Sequence, residues 1–227
     1  MCNLYNVTTN QEAIRALFNG LDDKLGNLPP SLDVYPDRLA PVVRNGSAGG
    51  LELVNLTWGL PTPEDHITPG TPDTGITNIR NLFFKDWLAI SDVPHRCVVP
   101  VSAFCEWSDA PDPVTKRKRQ YWFALDESQP LFWFPGIWTT WEGERGSKKN
   151  PRAGIHELFA FATCKANDLV GPIHRKAMPV MLTTREEVDI WMNADWREAT
   201  KLAKPFAVEK MMIVDRAKKP TETASLF

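Results

Sequence analysis

The second residue of the chain is a cysteine, and its position gives it chemistry that an internal cysteine lacks. Removal of Met1 would leave Cys2 with a free α-amine, of pKa about 7.7–8.0, beside a thiol of pKa about 8.5. The amine can form a Schiff base with an aldehyde, and the adjacent thiol can then close a five-membered thiazolidine. The alternative is that Cys2 lies in a frayed terminus and has no chemical role.

A carboxyl group follows Cys105 in the segment Phe104–Trp107. Glu106 stands between bulky apolar neighbours, a setting that raises the pKa of a carboxyl group and suits a general acid or base. The alternative is a half-exposed glutamate at the start of a strand. Cys105 is a weaker candidate for a nucleophile, because adjacent residues of a strand face opposite sides and Cys105 would point away from Glu106.

A histidine and two cations follow one another in a predicted turn. His174 precedes Arg175 and Lys176, just before a predicted strand. Nearby positive charge lowers the pKa of an imidazole, so that the neutral ring can exchange protons. Arg175 and Lys176 could contact a phosphate. The alternative is a structural or solvent-facing histidine.

The segment Gly75–Asn81 contains Asn78 and Arg80, two polar side chains that could contact a ligand. Asn78 offers both a donor and an acceptor, and Arg80 offers a planar guanidinium that can clamp a phosphate. Because they are two residues apart, they would share one face of a strand. A surface strand or loop with no function explains this pattern equally well.

Period-two patterns and turn residues predict that the middle of the chain is β-structure. The predicted strands are Leu51–Trp58, Arg96–Val101, Gln120–Leu125, Leu131–Phe134, Glu157–Thr163 and Met178–Thr183. The third and fourth strands are predicted to form a hairpin over the Asp126–Pro130 turn. The charged stretch Glu142–Arg152 is predicted to be a polar loop, with Gly143 and Gly146 as hinges.

Three helices are predicted around these strands. They are Gln11–Phe18, capped by Thr9 or Asn10 and ended by Gly20, a helix after Thr184 with capping-box spacing, and Trp196–Leu202. The pattern predicts the α+β class, as a single domain over residues 1–227 with residues 206–227 as a C-terminal extension. Its architecture would be a bent antiparallel sheet or barrel with a few flanking helices.

Composition excludes several classes of protein. The 227 residues carry 26 basic and 28 acidic side chains, a net charge of −2, which excludes a protein that coats nucleic acid by bulk charge but leaves room for a local basic groove. The four cysteines lack zinc-site spacing, so we expect no metal and no cofactor. The sequence has no apolar run long enough for a membrane span and no signal peptide, which predicts a cytoplasmic protein with free thiols.

Taken in order, these segments resemble the SOS-response-associated peptidase (SRAP) family, whose members are also described as abasic-site processing proteins. The resemblance runs roughly from Met1 to Pro205. The segments that carry it are Met1–Asn3, Asn27–Pro30 with Ala40–Val43, Thr57–Pro61, Asn78–Arg80, Arg96–Trp107 and Ile173–Val180.

The resemblance implies a covalent reaction with DNA. Cys2 would join to the ring-opened aldehyde of an abasic site in single-stranded DNA. Asn78 would orient the adduct and Glu106 would transfer protons. His174 would assist opening of the sugar ring and later reversal of the crosslink. The implied fold is a β-rich α+β domain with a positively charged groove, and we expect a monomer.

The resemblance also implies contacts to the DNA strand, and here the chain departs from the family pattern. Arg80 would hold the neighbouring phosphate. The arginine of the family's Cys-Gly-Arg-Phe start is missing, and the family's His-x-Arg-Met-Pro spacing is one residue longer, so Arg175 or Lys176 would replace the usual arginine. The tryptophans that often follow the Trp-Gly segment are also absent, so base stacking at that point would be weaker or would fall to Phe83 and Phe84.

Two other functions fit the same residues. A thiol peptidase or amidase could use the Cys, His, Asn and Glu side chains to cut amide bonds, including autocatalytic removal of Met1. A non-catalytic module that binds nucleic acid or protein could use Glu106 and His174 only to brace loops. Peptide turnover without DNA would favour the first alternative, and unchanged binding by Glu106→Ala and His174→Ala variants would favour the second.

Overall fold

A computed structural model describes residues 2–8, 11–18, 20–28, 32–46, 49–67, 70 and 72–215. The strands in these ranges are β1 (Tyr5–Val7), β2 (Asp22–Asp23), β3 (Leu32–Val34), β4 (Leu39–Asn45), β5 (Leu51–Trp58), β6 (Asn78–Ile79), β7 (Arg96–Val101), β8 (Ala103–Pro111), β9 (Lys118–Ala124), β10 (Phe132–Ser147), β11 (Asn150–Cys164), β12 (Met178–Pro179) and β13 (Met212–Val214). The α-helices are α1 (Gln11–Leu17), α2 (Lys85–Leu88), α3 (Arg185–Asn193) and α4 (Trp196–Ala199).

Five strands close into a barrel. β11, β10, β7, β4 and β5 pair in that order, and a parallel pairing of β5 with β11 joins the two ends. The joining pairs are Leu158 with Thr57 and Phe159 with Trp58. The predicted α+β fold with a bent sheet or barrel is therefore confirmed, and closure removes the exposed edges that an open sheet would have.

A second sheet holds the start of the chain beside the barrel. Its order is β13–β9–β8–β1–β3, so that β1 lies between β3 and β8. Tyr5 pairs with Val34 on one side and with Phe104 on the other. The residues that precede Tyr5 therefore run alongside the part of β8 that carries Cys105 and Glu106.

The barrel interior is filled by aromatic side chains. Tyr5 from β1 contacts Trp58, Phe134 and Phe161, with ring centroids 5.2, 6.0 and 6.1 Å away. The interplanar angles of 65° to 80° are those of edge-to-face contacts, the arrangement that aromatic quadrupoles favour. β1 is therefore fixed to the barrel by its side chain as well as by its backbone.

The predicted hairpin between the segments 120–125 and 131–134 is wrong. β9 pairs with β8 and β13, whereas β10 pairs with β7 and β11. The turn itself exists, since Asp126 accepts hydrogen bonds from the backbone of Ser128 and Gln129. The two strands leave this turn for different sheets, which a local pattern cannot reveal.

The polar loop predicted over Glu142–Arg152 is also wrong. β10 and β11 stay in register through this stretch as far as the pair Ser147 and Asn150. Residues 138–157 thus form a two-stranded ribbon, hereafter the arm, whose tip is Lys148 and Lys149. A ribbon of this kind exposes most of its side chains, so its composition looks like that of a loop.

The helices follow their capping residues. Thr184 accepts a hydrogen bond from the backbone of Glu187, and the Glu187 carboxylate accepts one from the backbone of Thr184. This is the predicted capping box of α3. The predicted third helix forms as α4 followed by a 3₁₀ turn at Thr200–Leu202. The predicted cap of α1 at Thr9 or Asn10 lies outside the described residues. No described helix is long and apolar enough to cross a membrane.

Candidate functional site

The second sheet draws Cys2 into the core. The exposed fraction of Cys2 is 1%. Its Sγ donates to the carbonyl oxygens of Leu4, at 3.4 Å, and of Cys105, at 3.9 Å. The backbone of Cys105 in turn donates to the Leu4 carbonyl at 2.9 Å. Cys2 is therefore held in one place by β8, unlike a residue of a frayed terminus.

Asn78 contacts the backbone of Cys2 from the barrel side. β6 pairs in parallel with β11, with Asn78 beside Phe161. The Asn78 side chain is buried, and its Nδ2 donates to the Cys2 carbonyl at 2.9 Å and to Thr77 Oγ1 at 2.7 Å. Its Oδ1 is buried and has no hydrogen-bond partner among the described residues. One end of this amide is thus used to hold Cys2, and the other end is available as an acceptor.

Glu106 is the most isolated carboxyl group of the cluster. It is 1% exposed, and neither carboxyl oxygen has a hydrogen-bond partner in the described part of the chain. Burial raises the pKa of Glu106 to about 7. Burial also raises the pKa of the Cys2 thiol well above its usual value, and the nearby charge of Glu106 raises it further. Cys2 therefore rests as a thiol beside a carboxyl group that can accept its proton.

His174 lies on the other side of Glu106. Its backbone donates to the Val170 carbonyl at 2.8 Å, which fixes the turn before β12. Its ring Nε2 is 3.9 Å from Glu106 Oε2, and its Nδ1 is 3.6 Å from Asp109 Oδ1. The pKa of His174 is lowered, as the sequence predicted, but burial is the largest cause and the charge of Lys176 a smaller one.

The predicted DNA-binding cations border the cluster. Arg80 is exposed, and its Nη1 donates to the backbone carbonyl of Lys176. This bond ties the end of β6 to the loop of His174. The Arg175 side chain is 87% exposed, with its Nε 4.0 Å from Asp109 Oδ2, and Lys176 is also exposed. Arg80, Arg175 and Lys176 therefore share the surface outside the buried site.

The predicted stacking residues differ in their exposure. Phe83 is 55% exposed, and Asn81 accepts a hydrogen bond from its backbone. Phe84 is half-buried and packs against Trp87, with ring centroids 6.1 Å apart. Of the two, Phe83 is the ring with a free face for stacking.

Cys105 lies next to the site in sequence but faces away from it. It packs in a small apolar cluster with Leu4, Ala103, Trp122, Ala124 and Val214. The alternation of side chains along β8 thus separates Cys105 from Glu106, as predicted. Among the described residues, no group of three or more His, Cys, Asp or Glu side chains is arranged to hold a metal ion.

Two further residues of the site were not found by sequence reasoning. Thr77 Oγ1 accepts from Asn78 and is 3.5 Å from Asn3 Oδ1. Asp109 faces His174, although it is three residues beyond Glu106 and a regular strand would place it on the opposite face. The register of β8 against β9 is irregular between Trp107 and Pro111, and this bulge rotates the strand. Nothing in the sequence marks the bulge.

The cluster thus combines a buried thiol, a carboxyl group that is near half ionisation at neutral pH, a neutral imidazole and an amide. Buried polar atoms in native proteins are nearly always hydrogen-bonded, so Asn78 Oδ1 and the two Glu106 oxygens are unusual. This arrangement can move a proton between the thiol, the carboxyl group and the imidazole. It can also accept hydrogen bonds from a molecule placed against Cys2.

Relatives with assigned names cover most of the chain. The abasic site processing protein YoqW of Bacillus subtilis (strain 168) is 29% identical over 202 residues, which cover 85% of this chain and 80% of YoqW. The abasic site processing protein YobE of the same organism is 27% identical over 202 residues, with 85% and 82% covered. This chain is therefore similar to both proteins over about four fifths of their lengths.

Solved structures share the fold. An X-ray structure of a protein from Bordetella bronchiseptica has a TM-score of 0.66 at 16% identity and covers 93% of this chain and 98% of its own. An X-ray structure of a protein from Bacteroides thetaiotaomicron has a TM-score of 0.64 at 23% identity and covers 96% of each chain.

A model of the SOS response associated peptidase (SRAP) family matches residues 1–219. The chain therefore belongs to the SOS response associated peptidase family.

Proposed function

We propose that this protein captures abasic sites in single-stranded DNA by forming a thiazolidine between Cys2 and the ring-opened sugar. The observation that carries the proposal is the set of buried, unpartnered acceptors around Cys2, namely Asn78 Oδ1 and both oxygens of Glu106 among the described residues. The names of YoqW and YobE supply the abasic site as the substrate class.

The reaction requires that Met1 be removed, since only then does Cys2 carry a free amine. The amine attacks C1 of the sugar aldehyde and loses water to give a Schiff base. The thiol then adds across the C=N bond, so that sulfur bonds to C1 and a proton goes to nitrogen. The net change is an aldehyde plus an aminothiol giving a thiazolidine and one water molecule.

Glu106 and His174 transfer the protons that these steps require. Because burial raises the pKa of Cys2, the thiol stays protonated until an electrophile is in place. Glu106, with a pKa of about 7, is present in both protonation states near neutral pH and can take the thiol proton or deliver one to the departing oxygen. The 3.9 Å distance between His174 Nε2 and Glu106 Oε2 supports a role for His174 in exchanging that proton and in assisting sugar ring opening.

The remaining predicted residues bind the DNA strand on either side of the abasic site. Asn78 keeps the Cys2 backbone fixed through its Nδ2 and offers Oδ1 to a hydroxyl group of the opened sugar. The exposed cations Arg80, Arg175 and Lys176 suit the phosphates next to the abasic site. Phe83 offers a ring face on which a neighbouring base can stack.

The test is a crosslinking reaction with protein whose loss of Met1 is verified by intact mass. A single-stranded oligonucleotide with one abasic site should give a slower band on a denaturing gel, with the mass of protein plus DNA minus one water. Cys2→Ala should abolish this band. Cys164→Ala, which removes another buried thiol, should leave the band unchanged.

Two outcomes would contradict the proposal. One is a band of equal yield with Cys2→Ala, and the other is equal yield from a protein with extra residues before Cys2, because an amide nitrogen is not a nucleophile. Hydrolysis of peptides by the processed protein in the absence of DNA would instead favour the thiol peptidase.

A further inference from the structure

Asp109 completes a row of three side chains that begins at Glu106 and passes through His174. We propose that Asp109 is a positioning residue that holds the Nδ1 edge of the His174 ring, so that Nε2 faces Glu106. The role of this row in crosslinking rests on the proposed function. The orientation of His174 does not, because it is a property of the free protein.

The distances place the imidazole between two carboxyl groups. Nδ1 is 3.6 Å from Asp109 Oδ1, and Nε2 is 3.9 Å from Glu106 Oε2. The two carboxyl groups differ in their surroundings, because the Asp109 side chain is 45% exposed and that of Glu106 is 1% exposed. Asp109 is in contact with water, whereas burial raises the pKa of Glu106 to about 7, so that Glu106 can exchange its proton near neutral pH. The geometry therefore gives the two edges of the ring different tasks.

The backbone of β8 holds Asp109 against the histidine loop. Asp109 N donates to the carbonyl oxygen of Ile173 at 3.1 Å, one residue before His174. The irregular register between Trp107 and Pro111 turns Asp109 toward the same side as Glu106. A β-bulge commonly re-aims a side chain beside a functional site. The bulge therefore places Asp109 beside His174, which a regular strand could not do.

Several charges act on His174, and they oppose one another. Burial lowers the pKa of His174, and so do the amino-terminal charge, Lys176 in its own loop and Lys118 from β9. Asp109 from β8 raises it, and Glu106 lies at the other ring nitrogen. Asp109 is thus the carboxylate that favours a proton on Nδ1. With Nδ1 protonated, a neutral ring presents a bare Nε2 to the protonated form of Glu106.

The same loop carries a cation, Arg175, that also faces Asp109. Arg175 Nε is 4.0 Å from Asp109 Oδ2, whereas His174 Nδ1 is 3.6 Å from Asp109 Oδ1. Arg175 is therefore able to steady Asp109 without displacing it from the ring. If Arg175 turns to a DNA phosphate, Asp109 keeps its contact with His174 through Oδ1.

The test measures the ring directly by NMR of the free protein, with His174 assigned from a His174→Gln variant. Long-range ¹H–¹⁵N spectra above the pKa of His174 should show the Nδ1–H tautomer in the parent protein. Asp109→Ala should lose this preference. Asp109→Asn, which keeps an acceptor but removes the charge, should lower the pKa of His174 by roughly half a unit. Asp109→Glu, which keeps the charge, should restore the pKa of His174 in part.

Crosslinking rates give the functional readout. Asp109→Ala should slow adduct formation roughly tenfold, because misplacing a reacting group by a fraction of an ångström costs about that much. The rate profile of Asp109→Asn should move to lower pH with the pKa of His174. Asp112→Asn removes the same charge three residues further along the same hairpin and should change neither measurement.

An unchanged tautomer and an unchanged His174 pKa in both Asp109→Ala and Asp109→Asn would overturn this inference, even if the parent protein crosslinks DNA. Failure of the parent protein to crosslink would instead reject the proposed function and leave the NMR result intact. The two failures are therefore distinguishable.

Discussion

Glu106 is buried next to a thiol and an imidazole, and this position costs stability whenever the carboxyl group is ionised. Its oxygens have no hydrogen bonds from the described residues to offset the loss of water. A site that needs a proton acceptor in the interior must accept this cost. At the scale of single residues, function and stability therefore oppose each other at Glu106.

This opposition predicts a specific dependence of stability on pH. The pKa of Glu106 is raised from 4.5 to about 7 by burial, so the folded protein holds a proton that the unfolded chain has lost. The resulting stabilisation is complete below pH 4.5 and is lost as pH rises through about 7. We expect Glu106→Gln to remove this loss and to be more stable than the parent at pH 8 by an amount on the order of 3 kcal/mol.

Urea unfolding at pH 5 and at pH 8 checks this prediction. The difference between the parent and Glu106→Gln should grow with pH, because glutamine does not ionise. Glu127→Gln, the same change at an exposed turn, should give a difference that stays constant. The same constant difference for Glu106→Gln would show that Glu106 is ionised in the folded protein across the whole range.

The residues of the site differ in how well the sequence could predict them. Glu106 is recognisable because its immediate neighbours in the chain are apolar, and the folded chain does bury it. Asn78 and His174 could be singled out only with weak support, since their partners come from distant strands. Asp109 could not be found, because its direction depends on a bulge in β8 that no local pattern indicates.

At the scale of elements, the arm of residues 138–157 is held down by one buried side chain. Arg145 is fully buried and forms ion pairs with Asp37, at 3.2 Å, and Asp73, at 3.3 Å. Gly59 and Gly75 lie against its guanidinium, and a Cβ on either residue would clash with it. Asp73 lies five residues before Asn78, so this contact also anchors the segment that leads into the site.

Loss of Arg145 should therefore destabilise the segment that leads into the site as well as the arm. Arg145→Met leaves the buried Asp73 without its cation, and breaking such a pair costs about 3–5 kcal/mol. We expect a fall of that size in the free energy of unfolding measured in urea, and a slower crosslinking reaction because the segment before Asn78 loosens.

Arg152→Met is the matched control. Arg152 binds the same Asp37 at 2.6 Å, but its side chain is 43% exposed. An exposed pair contributes about 1 kcal/mol or less, so the control should be nearly as stable as the parent. If both variants lost the same stability, the burial of Arg145 would not explain its effect.

The elements that the sequence could predict are those defined by local signals. The capping box at Thr184 and the strand predicted over Leu51–Trp58 depend on patterns within a few residues, and both predictions are confirmed. The hairpin expected between the segments 120–125 and 131–134 fails, because the pairing of β9 and β10 is decided by sheets that form from distant parts of the chain. The arm is missed because Arg145 finds Asp37 and Asp73 about 110 and 70 residues earlier in the sequence.

At the scale of the whole molecule, the net charge of −2 means that the protein as a whole does not attract DNA. The cations beside the site must therefore attract the DNA, and the proposed covalent bond keeps the complex from dissociating. These two contributions respond differently to salt, because only the first depends on displaced counterions.

The proposed function therefore predicts two salt dependences in one reaction. With Arg80, Arg175 and Lys176 on three phosphates, the logarithm of the capture rate at low protein concentration should fall with the logarithm of salt concentration with a slope of about −2. Arg175→Gln should reduce this slope by about 0.7, whereas Lys148→Gln at the arm tip should not change it. The finished adduct should survive molar salt in a native wash followed by a denaturing gel. An adduct released by salt alone would mean that the protein and the DNA are held together only by charge.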